Sequence, residues 1–278
     1  MSGIAPLVTA PAPLPSAASA DGREKSRAFR QAVLLWVVFF AALVIFNGTV
    51  PFALGADLRV WTASPLKSML FGLLFYSVLF MAVPLTLIKG WQTVRRPGFA
   101  IPMAAAMLGI TFWRYWSLGP ALAVAMLAYL HWRFDLSGYG IRSRGWKGDM
   151  LAVLIMGLLG SVPLLMQPGL GPLSVSSGVS AALSRLFSNP ASSVENLFYF
   201  GFLTERLSYR AGRWLTPLLI GLMYTAHEMS NPEYWYGGTS FGFIFAGVAI
   251  WAAIYLWRRS AVVIWLGDGL YRLVMGLL

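Results

Sequence analysis

The sequence predicts an all-α polytopic helical membrane protein with about 8–9 transmembrane helices. Composition is the first observation: 58% of the 278 residues are hydrophobic and only 11% are charged. A soluble chain carries roughly a quarter charged residues. Second, the apolar residues gather in blocks of about 20, the length that spans a bilayer as helix. Third, lysine and arginine fall almost entirely on one side when loops are counted alternately.

Residues 1–30 read as a disordered, basic cytoplasmic tail. Met1 to Ala20 is rich in Ala, Pro and Ser, with no charge before Asp21. It lacks the basic start and apolar core of a signal peptide. Arg23, Lys25, Arg27 and Arg30 then precede the first span. Residues 31–133 read as N-terminal transmembrane helices and 134–278 as a membrane-embedded core.

Nine apolar segments follow in order, at approximately 31–49, 68–88, 99–113, 118–132, 150–166, 191–205, 214–228, 240–257 and 260–277. The third and fourth are short and joined by Trp113-Arg114-Tyr115-Trp116, so one is expected to be tilted or re-entrant. With the N-terminus inside, the cytoplasmic loops receive 16 basic residues: Arg23, Lys25, Arg27, Arg30, Lys89, Arg95, Arg96, Arg133, Arg142, Arg144, Lys147, Arg206, Arg210, Arg213, Arg258 and Arg259. The other side receives 4, namely Arg59, Lys67, Arg114 and Arg185. A wrong span count would scramble that alternation. The expected location is an integral, multi-pass one with a cytoplasmic N-terminus, in a prokaryotic inner membrane.

Several function classes are excluded at this level. The net charge of +11 does not point to nucleic acid, because the basic residues lie in short loops between spans. There is no cysteine, so neither disulfides nor thiolate metal sites form. His131 and His227 are the only histidines, too few for a histidine-rich metal cage. No cofactor and no metal is expected. The lipid bilayer is the implied environment.

The chemistry lies in polar residues inside apolar runs. Glu195 interrupts the sixth segment, His227 falls near the end of the seventh, and Asp268 lies within the ninth. A carboxylate within a membrane span is costly and is usually paired, functional or both. Measured from the basic helix ends, Glu195 lies about 16 Å deep, Asp268 about 14 Å, Arg272 about 20 Å and His227 about 21 Å. Three helices can therefore present them in one layer. Asn196, Tyr199, Tyr224 and Asn231 are candidate lining of the same cavity. Glu205 and His131 sit at helix ends among arginines and aromatics, where a solvated charge and an interfacial residue are expected.

The motifs resemble those of the CPBP family, the CAAX prenyl protease and bacteriocin-processing type of intramembrane glutamic protease. Its first motif, two glutamates, three residues and an arginine, corresponds to Glu195-Asn196-Leu197-Phe198-Tyr199-Phe200-Gly201. Its second, a phenylalanine with histidine four residues on, corresponds to Met223-Tyr224-Thr225-Ala226-His227. Its third, a histidine followed by Asn or Asp, corresponds to Asp268-Gly269-Leu270-Tyr271-Arg272, with Ser260 opening the helix. Asp135-Leu136-Ser137-Gly138-Tyr139-Gly140-Ile141-Arg142 resembles the loop that opens the family core. The resemblance covers 134–278. Asn196, Phe200, Met223, Asp268 and Arg272 depart from the motifs.

The resemblance implies an intramembrane endopeptidase. Glu195 and His227 would activate a water against a peptide bond of a membrane-associated or exported substrate. Arg272 or His227 would supply the electrophilic contact and Asp268 would orient it. Three alternatives remain open. Glu195–His227 and Asp268–Arg272 are purely structural pairs; the chain is an inactive relative serving as a membrane scaffold or accessory subunit of a membrane complex; or it is a transporter with a buried charge relay.

Overall fold

A computed structural model describes residues 22–49, 61, 64–112, 115–116, 118–165, 194–230 and 241–277, with the side chains of 160–165 and 272–277 outside the description. The described residues are helical with no strand. Helix α1 is Gly22–Val44, prolonged by a π-helical turn at Ile45–Thr49. It starts well before the apolar segment, so residues 22–30 are helix and not tail. Lys, Arg and Glu are good helix formers, and the apolar stretch that follows extends the same hydrogen-bond ladder. The tail reading for 1–21 lies outside the described residues.

Helix α2 spans Pro65–Lys89, with Pro65 opening it and a π-helical centre at Gly72–Ala82. Gly90, at φ +77°, ends it. Helices α3 (Pro97–Thr111) and α4 (Gly119–Phe134) form a tight hairpin. At 15 and 16 residues, each spans roughly 22–24 Å, short of the hydrocarbon thickness if upright. Their backbones meet at glycine. A Cβ on Gly109 would lie 2.3 Å from the Gly119 carbonyl oxygen. Gly109→Val is therefore expected to lower the thermal midpoint in detergent, by an overpacking cost of about 1–3 kcal/mol. Gly247→Ala, which meets nothing within 4 Å, should leave it unchanged.

Helix α5 is Trp146–Leu165. Helix α6 comprises 194–211, with a π-helical turn at Leu197–Leu203. Gly212, at φ 69° and ψ −178°, breaks the chain, and α7 (213–229) returns. Helices α8 (Phe241–Arg258) and α9 (Ala261–Leu277) close the bundle. The Ser260 hydroxyl accepts the Val263 N–H at 3.4 Å, capping α9. These helices coincide in place with the nine apolar segments.

The π-helical turn of α6 is the centre of the molecule: all 7 of its residues are buried. Phe198 stacks on Phe80 at 4.2 Å, and Phe39 of α1 meets Phe80 edge-on at 4.8 Å. The loop 135–142 wedges beneath. A Cβ on Gly201 would lie 2.1 Å from the Tyr139 carbonyl oxygen, so only glycine fits. Gly140, at φ +84°, carries that loop past Gly201 and Ala261. α1 packs along α7, α8 along α7, and α9 along α5.

The outside is apolar. Leu34, Ile101, Leu158, Leu222 and Phe243 are all exposed. Gly22–Thr49, Pro65–Lys89 and Phe241–Arg258 are long and apolar enough to cross a membrane, and Pro97–Thr111 and Ala261–Tyr271 are shorter apolar helices. Apolar helices with lipid-like exteriors fit a membrane protein.

Candidate active site

The turn at Gly212 explains how two residues distant in sequence meet. Glu195 precedes it and His227 follows it by nearly equal stretches of helix, so both reach nearly the same height on antiparallel helices. The Glu195 carboxylate Oε1 stands 3.3 Å from His227 Nδ1, with side chains 11% and 6% exposed. The contact is close, but its angles fall outside hydrogen-bond geometry. Phe39 holds the imidazole edge-on at 5.1 Å. Tyr199, one turn after Glu195, lies parallel to it at 5.9 Å, and Tyr224 lies 5.8 Å away.

Around this pair, Asn196 Nδ2 and His227 Nδ1 are buried with no hydrogen-bond partner among the described residues, and the buried Tyr199 hydroxyl, close to the Trp36 indole, makes no well-formed hydrogen bond among them. Each such group costs roughly 1–3 kcal/mol if it stays dry. A water or a polar substrate group would relieve several at once. Two of the donors, Asn196 and Tyr199, flank the carboxylate on its own helix. At the C-terminal end of α7, Asn47 Nδ2 donates to the Ser230 carbonyl oxygen at 3.0 Å and ties the end of α1 to it.

The remaining sequence candidates fall as follows. Asp268 is buried on α9, in the stripe of Ala261 and Ile264. α9 touches the π-helical turn that follows Glu195. The Arg272 side chain and Asn231 lie outside the described residues. Glu228, the residue after His227, is also buried. Among the described residues, no three His, Cys, Asp or Glu side chains converge as a metal-binding group.

Glu205 contradicts its expectation. It is not a solvated charge: its side chain is 13% exposed and its Oε2 accepts from three groups. Arg142 Nη2 and Arg259 Nη1 each reach it at 2.8 Å, and the Tyr255 hydroxyl at 3.1 Å. Arg142 Nε donates to the Arg259 carbonyl oxygen, and Arg259 Nη1 also reaches Ser208 at 3.3 Å. Burial pulls the Arg142 guanidinium down, but Tyr255 and Glu205 outweigh it and hold it above its ordinary value. Arg259 sits at φ 55°, a conformation the knot stabilises. His131, expected at an interface, accepts the Leu136 N–H on Nδ1 at 3.1 Å and so fixes the loop after α4.

Comparison with protein-family models gives no match. Comparison with curated proteins and with solved structures gives none either.

Proposed function

We propose that this protein is a multi-pass intramembrane glutamic endopeptidase of CPBP type, cleaving a membrane-associated or exported polypeptide. The observation that carries the reading is the buried Glu195–His227 contact at 3.3 Å inside an apolar helical bundle. Charge asymmetry supports nine crossings, with the N-terminus in the cytoplasm of a prokaryotic inner membrane.

In this reading Glu195 takes a proton from water, and the hydroxide adds to the scissile carbonyl carbon. The resulting oxyanion is stabilised by a donor, the C–N bond breaks, and the proton passes from the Glu195–His227 pair to the leaving amine. Asp268 cannot donate while ionised, so the donor role falls to Arg272, His227 or the flanking Tyr199 and Asn196. Tyr199→Phe separates these assignments. It removes a hydroxyl whose only neighbour of hydrogen-bonding type among the described residues is the Trp36 indole, so the melting temperature should shift by the equivalent of no more than about 1 kcal/mol of stability. If Tyr199 is the donor, turnover should fall about 10²–10³-fold. The Glu195/His227 chemistry uses no metal, so a chelator should leave turnover intact; loss restored by zinc would contradict it.

A specific observation favours a second reading, an inactive relative acting as a scaffold or accessory subunit. Phe200, at the position of the motif arginine, is fully buried and packs on Trp251 at 6.1 Å. The deciding experiment compares the membrane proteomes of wild type and Glu195→Gln. Proteolysis predicts one or more uncleaved precursors in the variant; identical proteomes, with a phenotype only on deletion, favour the scaffold.

A further inference from the structure

The basic end of the bundle holds more fixed positive charge than its acids balance. Arg142, Arg144, Arg258 and Arg259 converge there on two carboxylates, Asp149 and Glu205, leaving two positive charges over. Arg258 is spent on Asp149, to which it donates from Nε at 2.9 Å and Nη2 at 2.8 Å. Its Nη2 also reaches the Gly145 carbonyl oxygen, beside Arg144, at 3.2 Å. Arg142 and Arg259 share the single carboxylate of Glu205.

Each guanidinium carries five N–H groups. Arg142 uses Nε and Nη2, so its Nη1 has no partner among the described residues. Arg259 uses Nη1, leaving Nε and Nη2. Arg144 is exposed and makes no hydrogen bond or ion pair among them. Burial, then the neighbouring guanidiniums of Arg142 and Arg259, push Arg144 below its ordinary value, and Glu205 only partly opposes them, as expected where cations outnumber the anions beside them.

We propose that this arginine knot binds the phosphate of an anionic phospholipid. Its arginines are already held by Glu205, Tyr255 and Ser208, so little side-chain freedom is lost on binding. Two neighbouring features favour a lipid over free phosphate. Trp146, Trp214 and Trp257 are exposed at this end, with Lys147, Arg213 and Arg258 over their rings at 5.8, 5.0 and 5.4 Å. Such basic-aromatic pairs sit at headgroup level. From the knot, α5 runs into the membrane with an exposed stripe of Leu151, Leu154 and Leu158, a track for an acyl chain. The site is independent of the proteolytic reading.

The test uses the full chain in neutral detergent and follows the thermal midpoint and the lipids retained in native mass spectrometry. Phosphatidylglycerol should raise the midpoint and be retained, whereas phosphatidylcholine should do neither. Arg144→Gln, at an exposed position where misfolding is not expected, should weaken phosphatidylglycerol binding about fivefold. Arg144→Lys should recover part of it. Arg95→Gln removes the same charge from an exposed site away from the knot and should change nothing. Equal effects of the two glutamine variants would show diffuse attraction and overturn the site. Equal stabilisation by both lipids, or no effect of Arg144→Gln, would overturn it as well. Inorganic phosphate reproducing the full shift would overturn the lipid as the source of the phosphate.

Discussion

Glu205→Gln is expected to destabilise the folded protein by about 3–5 kcal/mol, the cost of breaking a buried ion pair from one side. The substitution leaves Arg142 and Arg259 close together with no anion between them. It also weakens the acceptor for the Tyr255 hydroxyl. Three segments lose their common anchor: the loop after α4, helix α6, and the end of α8 with the link that follows it. Denaturant or thermal unfolding in detergent measures the effect. Glu24→Gln, on the exposed first turn of α1, provides the comparison and should stay within about 0.5 kcal/mol of wild type. A Glu205→Gln protein as stable as that control would mean that the knot holds nothing together.

His227→Gln should cut cleavage about 10²–10⁴-fold, the range for removing a positioned general acid or base. The amide roughly keeps the side-chain reach but cannot exchange a proton with Glu195 near neutrality. Its packing loss against Phe39 and Tyr199 is a separate effect, read from the melting temperature. The double substitution Asp268→Asn with Arg272→Gln gives the contrast. If those two residues are a structural clasp, it preserves cleavage, because polar partners remain and the net charge is unchanged. Loss of cleavage with the fold intact would bring the pair into the mechanism.

Helix positions were legible because apolar blocks of spanning length have one good solution in a membrane. The start of α1 at Gly22 was not, since a charged but helix-favouring stretch reads as tail when only apolarity is counted. Gly212 hides in a run of helix formers, yet its positive φ divides α6 from α7 and sets Glu195 opposite His227. Depth counting from the basic ends anticipated that meeting, because the rise per residue is nearly constant along any α-helix. Depth says nothing about azimuth. The parallel stacking of Tyr199 on the imidazole, and the burial of Glu228, needed coordinates. Glu205 was misread for a related reason. Its partners come from residues 142, 255 and 259, and no local spacing reveals that they converge. Arg142, the last residue of the 135–142 loop motif, was the available signal.

Water activation by the Glu195–His227 pair, as proposed, can be read directly. Its most direct test is cleavage of the accumulated precursor by the purified chain alone in proteoliposomes, with wild type and Glu195→Gln compared at equal folded amounts. Wild type should give one new terminus and Glu195→Gln none, with both proteins melting at similar temperatures. Cleavage by Glu195→Gln at the wild-type rate would contradict it.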